Sequence, residues 1–520
     1  MSARRSLRRA AHAVTRIPRA TKADERFLGS GRGRISRCIG RFSDAHRVVY
    51  HVFVWYGETD MSERETWATR AGFILAAVGS AVGLGNIWQF PFKTAQYGGA
   101  TFLVVYLVAA FGIGLPAMLS EFVIGRKSNL NTISAFERLG YRQWRAAGIV
   151  GLLTGFWILS YYSVVGGWVL RYVGGSVTGA YFGDAGAYFG TISAGLPAVA
   201  LHAVFMALVV GIVAFGIEDG IEKATKLMVP SILVILVALA VWAFTLPGSG
   251  PGYAYFLSPD LSQLRLTVGT TGSFPWVTFG GPLAEIIPFA VSQAFFSLSL
   301  GMGAMITYAS YIDGDESLFG DSVTIVVFNS LIGILAGLVV IPLLFAQGAE
   351  PGAGGAGALF VSVASAFATI PFGRVVGFVF FLVVLVAALS SAISLLEVVV
   401  SYAVDNYAVS RPQVAAGLGA AIFVLGLPSA WDTAWLTWFD TLAYQLFLPL
   451  SVLGILVFTG WVFGRAAVDE LLRGTGFGGG MGALWLWTVR TVVLLGVLLT
   501  LVLGLITLFG GPDPAIVPPL

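Results

Sequence analysis

Long apolar segments separated by short polar connections make up the chain from residue 67 onward. Eleven can be distinguished, near residues 70–96, 99–125, 146–177, 196–216, 224–245, 284–311, 320–347, 373–404, 412–428, 433–463 and 483–510. A membrane-spanning helix needs about 20 mostly apolar residues. The pattern therefore predicts an all-α polytopic membrane protein with about 11 transmembrane helices.

A further apolar stretch, 358–372, is shorter than these segments and contains Pro371 near its end. Proline removes a helix hydrogen bond and commonly ends a helix. We therefore expect this stretch to be a re-entrant or surface loop rather than a membrane span.

The amino-acid composition supports a membrane protein and excludes several other classes. The 520 residues are 57% hydrophobic and 11% charged, whereas soluble domains carry about 25% charged residues. So few charges cannot cover a water-exposed surface, which excludes a soluble enzyme, a nucleic-acid-binding protein and a disordered chain. A single Cys excludes a disulfide framework and a cysteine-ligated metal site.

Residues 1–60 differ sharply from the remainder of the chain. They hold 13 of the 30 Lys and Arg residues and five of the 27 acidic residues, so 17 basic and 22 acidic residues remain after them. No apolar stretch in this segment is typical of a signal peptide. We expect a disordered basic extension upstream of a true start at Met61; the alternative is a basic arm that lies on anionic lipid.

The Lys and Arg residues after residue 60 indicate how the protein is oriented. With a cytoplasmic N-terminus, 13 of them lie in or beside cytoplasmic loops, and four lie on the other side: Lys93, Arg171, Arg265 and Arg374. Because basic residues concentrate in cytoplasmic loops, we predict a cytoplasmic N-terminus in a cell membrane. Eleven spans then place the tail, residues 511–520, on the extracytoplasmic side.

The first and sixth apolar segments contain residues that disfavour a continuous helix. Both have Gly and polar residues near their centres, at Gly79, Gly83, Gly85, Asn86, Ser297, Ser299, Gly301 and Gly303. Each interior Gly costs about 1 kcal/mol of helix stability relative to Ala. Small residues also allow close helix packing, but two such clusters at corresponding positions of two five-span halves indicate broken helices around a transport site.

Broken helices at mid-membrane have a chemical consequence. Lipid cannot satisfy the freed backbone groups, so these must face protein or a cavity. There, carbonyl oxygens can bind a cation and helix N-termini can bind an anionic group. An enzyme is not expected, because His202 is the sole histidine in the apolar segments and no Cys follows Cys38.

Several strings resemble those of one transporter family. They are WATRAGFILAAVGSAVGLGNIWQFPF at 67–92, EFVIGR at 121–126, QAFFSLSLGMGAMITYASY at 293–311 and ALSSAISLLEVVVSY at 388–402. The chain is similar to the neurotransmitter:sodium symporter family, in its prokaryotic amino-acid branch, over about residues 67–465. The resemblance implies sodium-coupled import of a neutral, apolar or aromatic amino acid by alternating access. The alternative is another small carboxylate-bearing amine-type solute.

The resemblance also implies an architecture. A 5+5 inverted repeat with broken first and sixth helices would comprise repeat one at about 67–245 and repeat two at about 284–464, followed by an extra helix at 483–510. Residues 61–510 would then form the transporter domain.

Two sodium sites are implied by positions that match the family motifs. The first would use Ala81, Asn86, Ser297 and Asn329. The second would use Gly79, Val82, Ala387, Ser390 and Ser391. All of these positions offer neutral oxygen ligands, which suit an alkali cation better than a transition metal.

The implied substrate pocket overlaps the first sodium site. Its residues are Ser80, Ala81, Gly83, Gly85, Ile158, Tyr162, Phe296, Ser297, Ser299, Met302, Ser391 and Leu395. Amine transporters of the family have Asp at the position of Gly83. With Gly there, we expect a substrate that carries its own carboxylate and an apolar side chain.

Gates and a chloride site are also implied, with two departures from the family pattern. An ion pair between Arg64 and Asp405, beside Trp67 and Tyr311, would close the cytoplasmic side, and Tyr162 with Phe296 would form a thin outer lid. Farther out, Gln89 would face Asp440, although many members have a cation at the position of Gln89.

The second departure concerns chloride. Gly333 is neither the Glu of chloride-independent members nor the hydroxyl residue of chloride-dependent ones. Chloride remains a hypothesis, at Tyr106, Gln293, Ser297 and Asn329. The alternative is proton binding by an acid such as Glu121 or Glu397.

Overall fold

A computed structural model of the protein describes residues 66–270, 277–312, 316–348, 355–476, 478–509 and 515–519. The predicted basic extension, residues 1–60, and the predicted gate residue Arg64 lie outside the described residues. Residues from Glu65 onward form one compact unit.

Helices make up most of the described chain. In chain order they are α1 (Arg70–Ala81), α2 (Gly85–Gln96), α3 (Ala100–Ser128), α4 (Ser134–Arg138), α5 (Arg142–Thr178), α6 (Ala185–Ile192), α7 (Gly195–Ala214), α8 (Ile217–Phe244), α9 (Gly250–Leu257), α10 (Pro282–Ser297), α11 (Ala304–Ala309), α12 (Leu318–Ala346), α13 (Gly355–Thr369), α14 (Gly373–Asn406), α15 (Arg411–Trp431), α16 (Thr433–Phe463), α17 (Arg465–Leu472) and α18 (Gly479–Phe509). Each of the eleven predicted spans coincides with one long helix or with the pairs α1–α2 and α10–α11.

The first span is broken after Ala81. Val82 has an extended backbone, with φ −88° and ψ 99°, and α2 starts at Gly85 with an axis bent by 46° from that of α1. Thr69 caps the start of α1 by accepting a hydrogen bond from the Gly72 amide. The glycine-rich centre therefore interrupts the helix at the predicted place.

The sixth span is broken over a longer stretch, between Ser297 and Ala304. Ser299, Gly301 and Gly303 have left-handed backbones, with φ of 53°, 72° and 76°. Glycine adopts this conformation at little cost, whereas a residue with a Cβ is strained there. The hydroxyl of Ser299 donates to the carbonyl oxygen of Ser80, at 2.8 Å, and this bond helps to hold the strained turn.

Two features outside the spans differ from or add to the predictions. The stretch 358–372 is too short to be a span, as predicted, but it is a helix rather than a loop, because α13 occupies most of it and ends before Pro371. Its Phe360 is buried against the rings of Tyr172 and Phe381, at centroid distances of 5.3 and 6.4 Å. A two-stranded antiparallel hairpin, β1 (Thr267–Thr270) and β2 (Val277–Gly280), lies in the connection before α10.

The helices divide into central and peripheral ones. In its most apolar 18-residue window, α14 is 72% buried, whereas α8 and α18 are each 28% buried. The apolar exposed sides of α8 and α18 suit contact with lipid. The central helices α14 and α5 pack along each other, and with α1, α10 and α12 they surround the two breaks.

Candidate functional site

The predicted first sodium site gathers around the amide of Asn329 on α12. Its Oδ1 lies 2.8 Å from the carbonyl oxygen of Ser297 and 3.2 Å from that of Ala81. The Asn86 amide nitrogen donates to the same Oδ1, at 2.8 Å. These contacts bring the four predicted positions together at Asn329. If the Asn329 amide turns over, its nitrogen instead bridges the two carbonyls by hydrogen bonds.

The predicted second sodium site lies between the first break and α14. The Ser390 hydroxyl donates to the carbonyl oxygens of Val82 and Ala387, at 3.1 and 2.9 Å. The Ser391 hydroxyl donates to the carbonyl oxygen of Gly79 at 3.4 Å. All five predicted positions therefore meet. Among the described residues, no group of three or more His, Cys, Asp or Glu could hold a metal ion.

One buried cavity lies at the centre of the bundle. Eleven of the twelve predicted substrate positions line it: Ser80, Ala81, Gly83, Gly85, Ile158, Tyr162, Phe296, Ser299, Met302, Ser391 and Leu395. The twelfth, Ser297, belongs to the neighbouring oxygen cluster. The cavity volume is about 10 Å³, which is the space of about one water molecule. Side chains must therefore move apart before an amino acid can enter.

The polar end of the cavity is crowded around Gly83. A Cβ atom at this position would lie 2.2 Å from the Ser391 hydroxyl and 2.7 Å from that of Tyr162. The Tyr162 hydroxyl accepts a hydrogen bond from the Leu84 amide, at 3.0 Å. There is consequently no space for a carboxylate side chain at residue 83, and the opposite end of the cavity, formed by Ile158, Met302 and Leu395, is apolar.

Comparisons with known proteins show the family of the chain. The model of the sodium:neurotransmitter symporter family matches residues 64–182 and 190–509. The chain belongs to this family. It is therefore a membrane-embedded sodium-dependent transporter of a small molecule and not an enzyme.

Relatives of this transporter include proteins of bacteria, archaea and animals. The uncharacterised sodium-dependent transporter YhdH of Bacillus subtilis is 31% identical over 84% of the chain and 98% of its own length. An uncharacterised sodium-dependent transporter of Methanocaldococcus jannaschii is 34% identical over 78% of the chain and 84% of its own length. The crystal structure of MhsT in complex with L-phenylalanine matches with a TM-score of 0.76 and 38% identity, covering 85% of this chain and all of that one.

Three of the predicted cytoplasmic gate residues, Trp67, Tyr311 and Asp405, lie at the end of the bundle where α1 begins, which we call the N-terminal face. The Trp67 indole donates to the carbonyl oxygen of Tyr308, at 2.9 Å, and packs edge-on against the Tyr311 ring. The Tyr311 hydroxyl donates to Glu397 at 2.8 Å. Asp405 accepts from the side-chain amide of Asn131 at 3.0 Å.

A contact that the sequence had not suggested joins α1 to α8 at the N-terminal face. Glu222 accepts hydrogen bonds from the Ala68 amide and the Thr69 hydroxyl, at 2.8 and 2.9 Å. A Cβ atom at Gly72 would lie 2.1 Å from this carboxylate. The signal that could have identified the contact is the pairing of an acid near the start of one span with a glycine near the start of another.

The predicted outer gate lies at the opposite face of the bundle. The Gln89 side chain donates to Asp440 at 3.4 Å, and Asp440 also accepts from the Tyr161 hydroxyl at 3.1 Å. The Tyr444 hydroxyl donates to the Gln89 side-chain oxygen at 2.7 Å. Below them, the Phe296 ring packs 5.1 Å from that of Tyr444, so Phe296 covers the cavity.

Three of the four predicted chloride positions are in direct contact. The hydroxyls of Tyr106 and Ser297 are 3.1 Å apart, and the Asn329 amide nitrogen lies 3.2 Å from each. The fourth, Gln293, donates instead to the carbonyl oxygen of Gly85, at 2.8 Å. These groups include neutral hydrogen-bond donors that an anion can use.

Proposed function

We propose that this transporter is a symporter that imports a neutral, apolar or aromatic amino acid together with sodium. The observation that carries the proposal is the cavity itself, which has backbone and hydroxyl oxygens at one end and Ile158, Met302 and Leu395 at the other. MhsT, which is 38% identical, binds L-phenylalanine, and its ligand has the chemistry that such a cavity would recognise.

The absence of an acid among the residues that line the cavity favours an amino acid over an amine. A bound ammonium without a carboxylate would need an acid in the pocket, and none of the cavity-lining residues is acidic. A substrate carboxylate, in contrast, would complete the coordination of a sodium ion at Ala81, Asn86 and Asn329. The alternative solute, another small carboxylate-bearing amine, satisfies the same polar contacts but uses less of the apolar end.

We propose two sodium ions, one at each oxygen cluster. Two cations moving with a zwitterion carry two charges, worth roughly 4.6 kcal/mol per 100 mV. A counter-anion would offset this charge, and we propose chloride at the cluster of Tyr106, Ser297 and Asn329. Uptake into proteoliposomes should fall when gluconate replaces chloride, and unchanged uptake would eliminate the chloride site.

Alternating access would use the two faces. The N-terminal face would be cytoplasmic, closed by Trp67, Tyr311 and an Arg64–Asp405 pair, and the opposite face would be closed by Phe296, Tyr162 and the Gln89–Asp440 contact. The proposed transport cycle opens one face at a time around the cavity.

A thermal-shift screen of the twenty amino acids, with sodium or with potassium, tests the proposal. A ligand that binds only the native state stabilises it by about 2.7 kcal/mol at 100 times its dissociation constant. We expect sodium-dependent stabilisation by phenylalanine, leucine and related amino acids. Stabilisation by a non-amino-acid carboxylate alone would favour the alternative, and stabilisation that is equal in potassium would contradict sodium coupling.

A further inference from the structure

The carboxylate of Asp440 lies at the outer mouth of the bundle between two neutral donors. Tyr161 donates to one of its oxygens at 3.1 Å, and Gln89 approaches the other at 3.4 Å. Partly buried carboxylates are costly unless a positive charge compensates them. Neither of these two donors supplies a positive charge.

A cation lies one helical turn beyond Gln89. Lys93 is four residues farther along α2, so its side chain extends from the same side of the helix. Its ammonium group lies 4.7 Å from the centre of the Phe289 ring on α10 and 5.7 Å from that of Tyr97. These rings stack on each other, 4.6 Å apart. Gln89, one turn before Lys93, contacts Asp440, so Lys93 lies on the side of α2 that faces this carboxylate.

We propose that Lys93 is the positive charge of the outer gate and that it holds α2, α10 and α16 together when this face is closed. The proposal rests on the proposed function in one respect, because that function decides which face of the bundle is the outer one. Lys93 would take the place of the cation that many family members have at the position of Gln89.

The hydrogen bonds of Gln89 explain why the positive charge lies at Lys93, one helical turn farther along α2, and not at residue 89 itself. The Gln89 amide does two things at once, since it donates to Asp440 and accepts from the Tyr444 hydroxyl. An arginine has five hydrogen-bond donors but no acceptor, so it could not accept the hydrogen bond from the Tyr444 hydroxyl. A glutamine there keeps both contacts, and the flexible four-carbon chain of a lysine carries the charge from the next turn.

The test measures how often the outer face opens, without any substrate. In full-length protein with Cys38→Ser, a reporter Ile158→Cys places a thiol on a fully buried position of the cavity. Proteoliposomes are treated with a membrane-impermeant maleimide, and the labelling rate is followed. Adding Lys93→Gln should raise this rate about tenfold, the scale of a lost contact between coupled charges. Lys93→Arg keeps the positive charge, so its labelling rate should stay close to that of the protein with the reporter alone.

Two further variants separate a gate charge from a general loss of structure. Asp440→Asn should raise labelling as Lys93→Gln does, and the double variant should add nothing more. Gln89→Arg introduced with Lys93→Gln should slow labelling again. The control is Arg171→Gln, an arginine on the same side that lies 5.6 Å from the centre of the Tyr188 ring, and it should leave labelling unchanged.

Unchanged labelling in Lys93→Gln, or additive effects of Lys93→Gln and Asp440→Asn, would overturn the proposal. Because labelling needs no amino acid, a failed thermal-shift screen would refute the proposed substrate but would leave this result interpretable.

Discussion

The two broken spans are stabilised in different ways. At the first break, the carbonyl oxygens of Gly79 and Val82 are satisfied by the serine hydroxyls of α14. At the sixth break, the Gly301 amide donates to the buried carboxylate of Glu121 at 2.7 Å, and Gly303 accepts from the Thr132 hydroxyl at 2.7 Å. Hydroxyls can turn towards a cation, whereas the Glu121 contact is a hydrogen bond from a backbone amide to a carboxyl oxygen that a cation need not displace.

This difference leads us to expect that the first break, rather than the sixth, responds to sodium. On the proposed sodium site, the carbonyl oxygens of the first break would exchange the hydrogen bond from a serine hydroxyl for a contact with sodium, and the hydroxyl would turn with little movement. The sixth break is held by side chains from α3 and from the connection that follows it, and it is expected to keep its shape with or without sodium. Three substitutions test this division, and the largest effect is expected at the first break.

Asn86→Ala should abolish the response of the transporter to sodium. The Asn86 side chain is 1% exposed and reaches the Asn329 amide at the centre of the oxygen cluster. Its loss removes one proposed ligand and the contact that positions a second. The measurement is the sodium-induced shift in melting temperature. Asn406→Ala, at an exposed helix end, is the control, and a preserved sodium shift in Asn86→Ala would show that the first cation site is misplaced.

Glu121→Ala should destabilise the protein equally with and without sodium. The substitution leaves the Gly301 amide buried and unpaired, which costs about 1–3 kcal/mol. Glu121→Gln keeps an acceptor oxygen for the Gly301 amide and should lose less stability than Glu121→Ala. Melting temperatures in sodium and in potassium measure both effects. If stability is lost only in sodium, the sixth break also responds to ions, and the expected difference between the two breaks is wrong.

Ser390→Ala should have the smallest effect, a weakening of sodium affinity by about five- to tenfold, which is the scale of one hydrogen bond or ligand. Sodium titration of the thermal shift gives the midpoint. Ser401→Ala is a matched control, because Ser401 is a buried serine of the same helix that donates to the Val398 carbonyl. An equal change in both variants would indicate a packing effect of α14 rather than a cation site.

The spans and their interruptions could be predicted because they are local properties. Apolar length gave the positions of the helices, and the clusters around Gly83 and Gly301 gave the two breaks. The prediction of a loop at 358–372 was wrong because tertiary contacts decide the conformation of this stretch. Phe360 of α13 packs against rings of α5 and α14, and nothing in the local sequence shows these partners.

At the outer gate, too, the local sequence does not reveal which distant side chains are in contact. The sequence shows that Gln89 lacks a charge and that Lys93 follows one turn later. It does not show that the Phe289 ring lies beneath the Lys93 ammonium group, because Phe289 is nearly two hundred residues away along the chain.

By itself the sequence determined the class of protein, the eleven spans, the two breaks and the residue types that face them. These follow from the length of apolar segments and from backbone preferences, which act within a few residues. Only the tertiary structure decided which groups satisfy the broken backbone, since Glu121 and Ser390 come from two other helices. Lipid offers no hydrogen bonds, so the packing of those helices selects the partner of each freed amide and carbonyl.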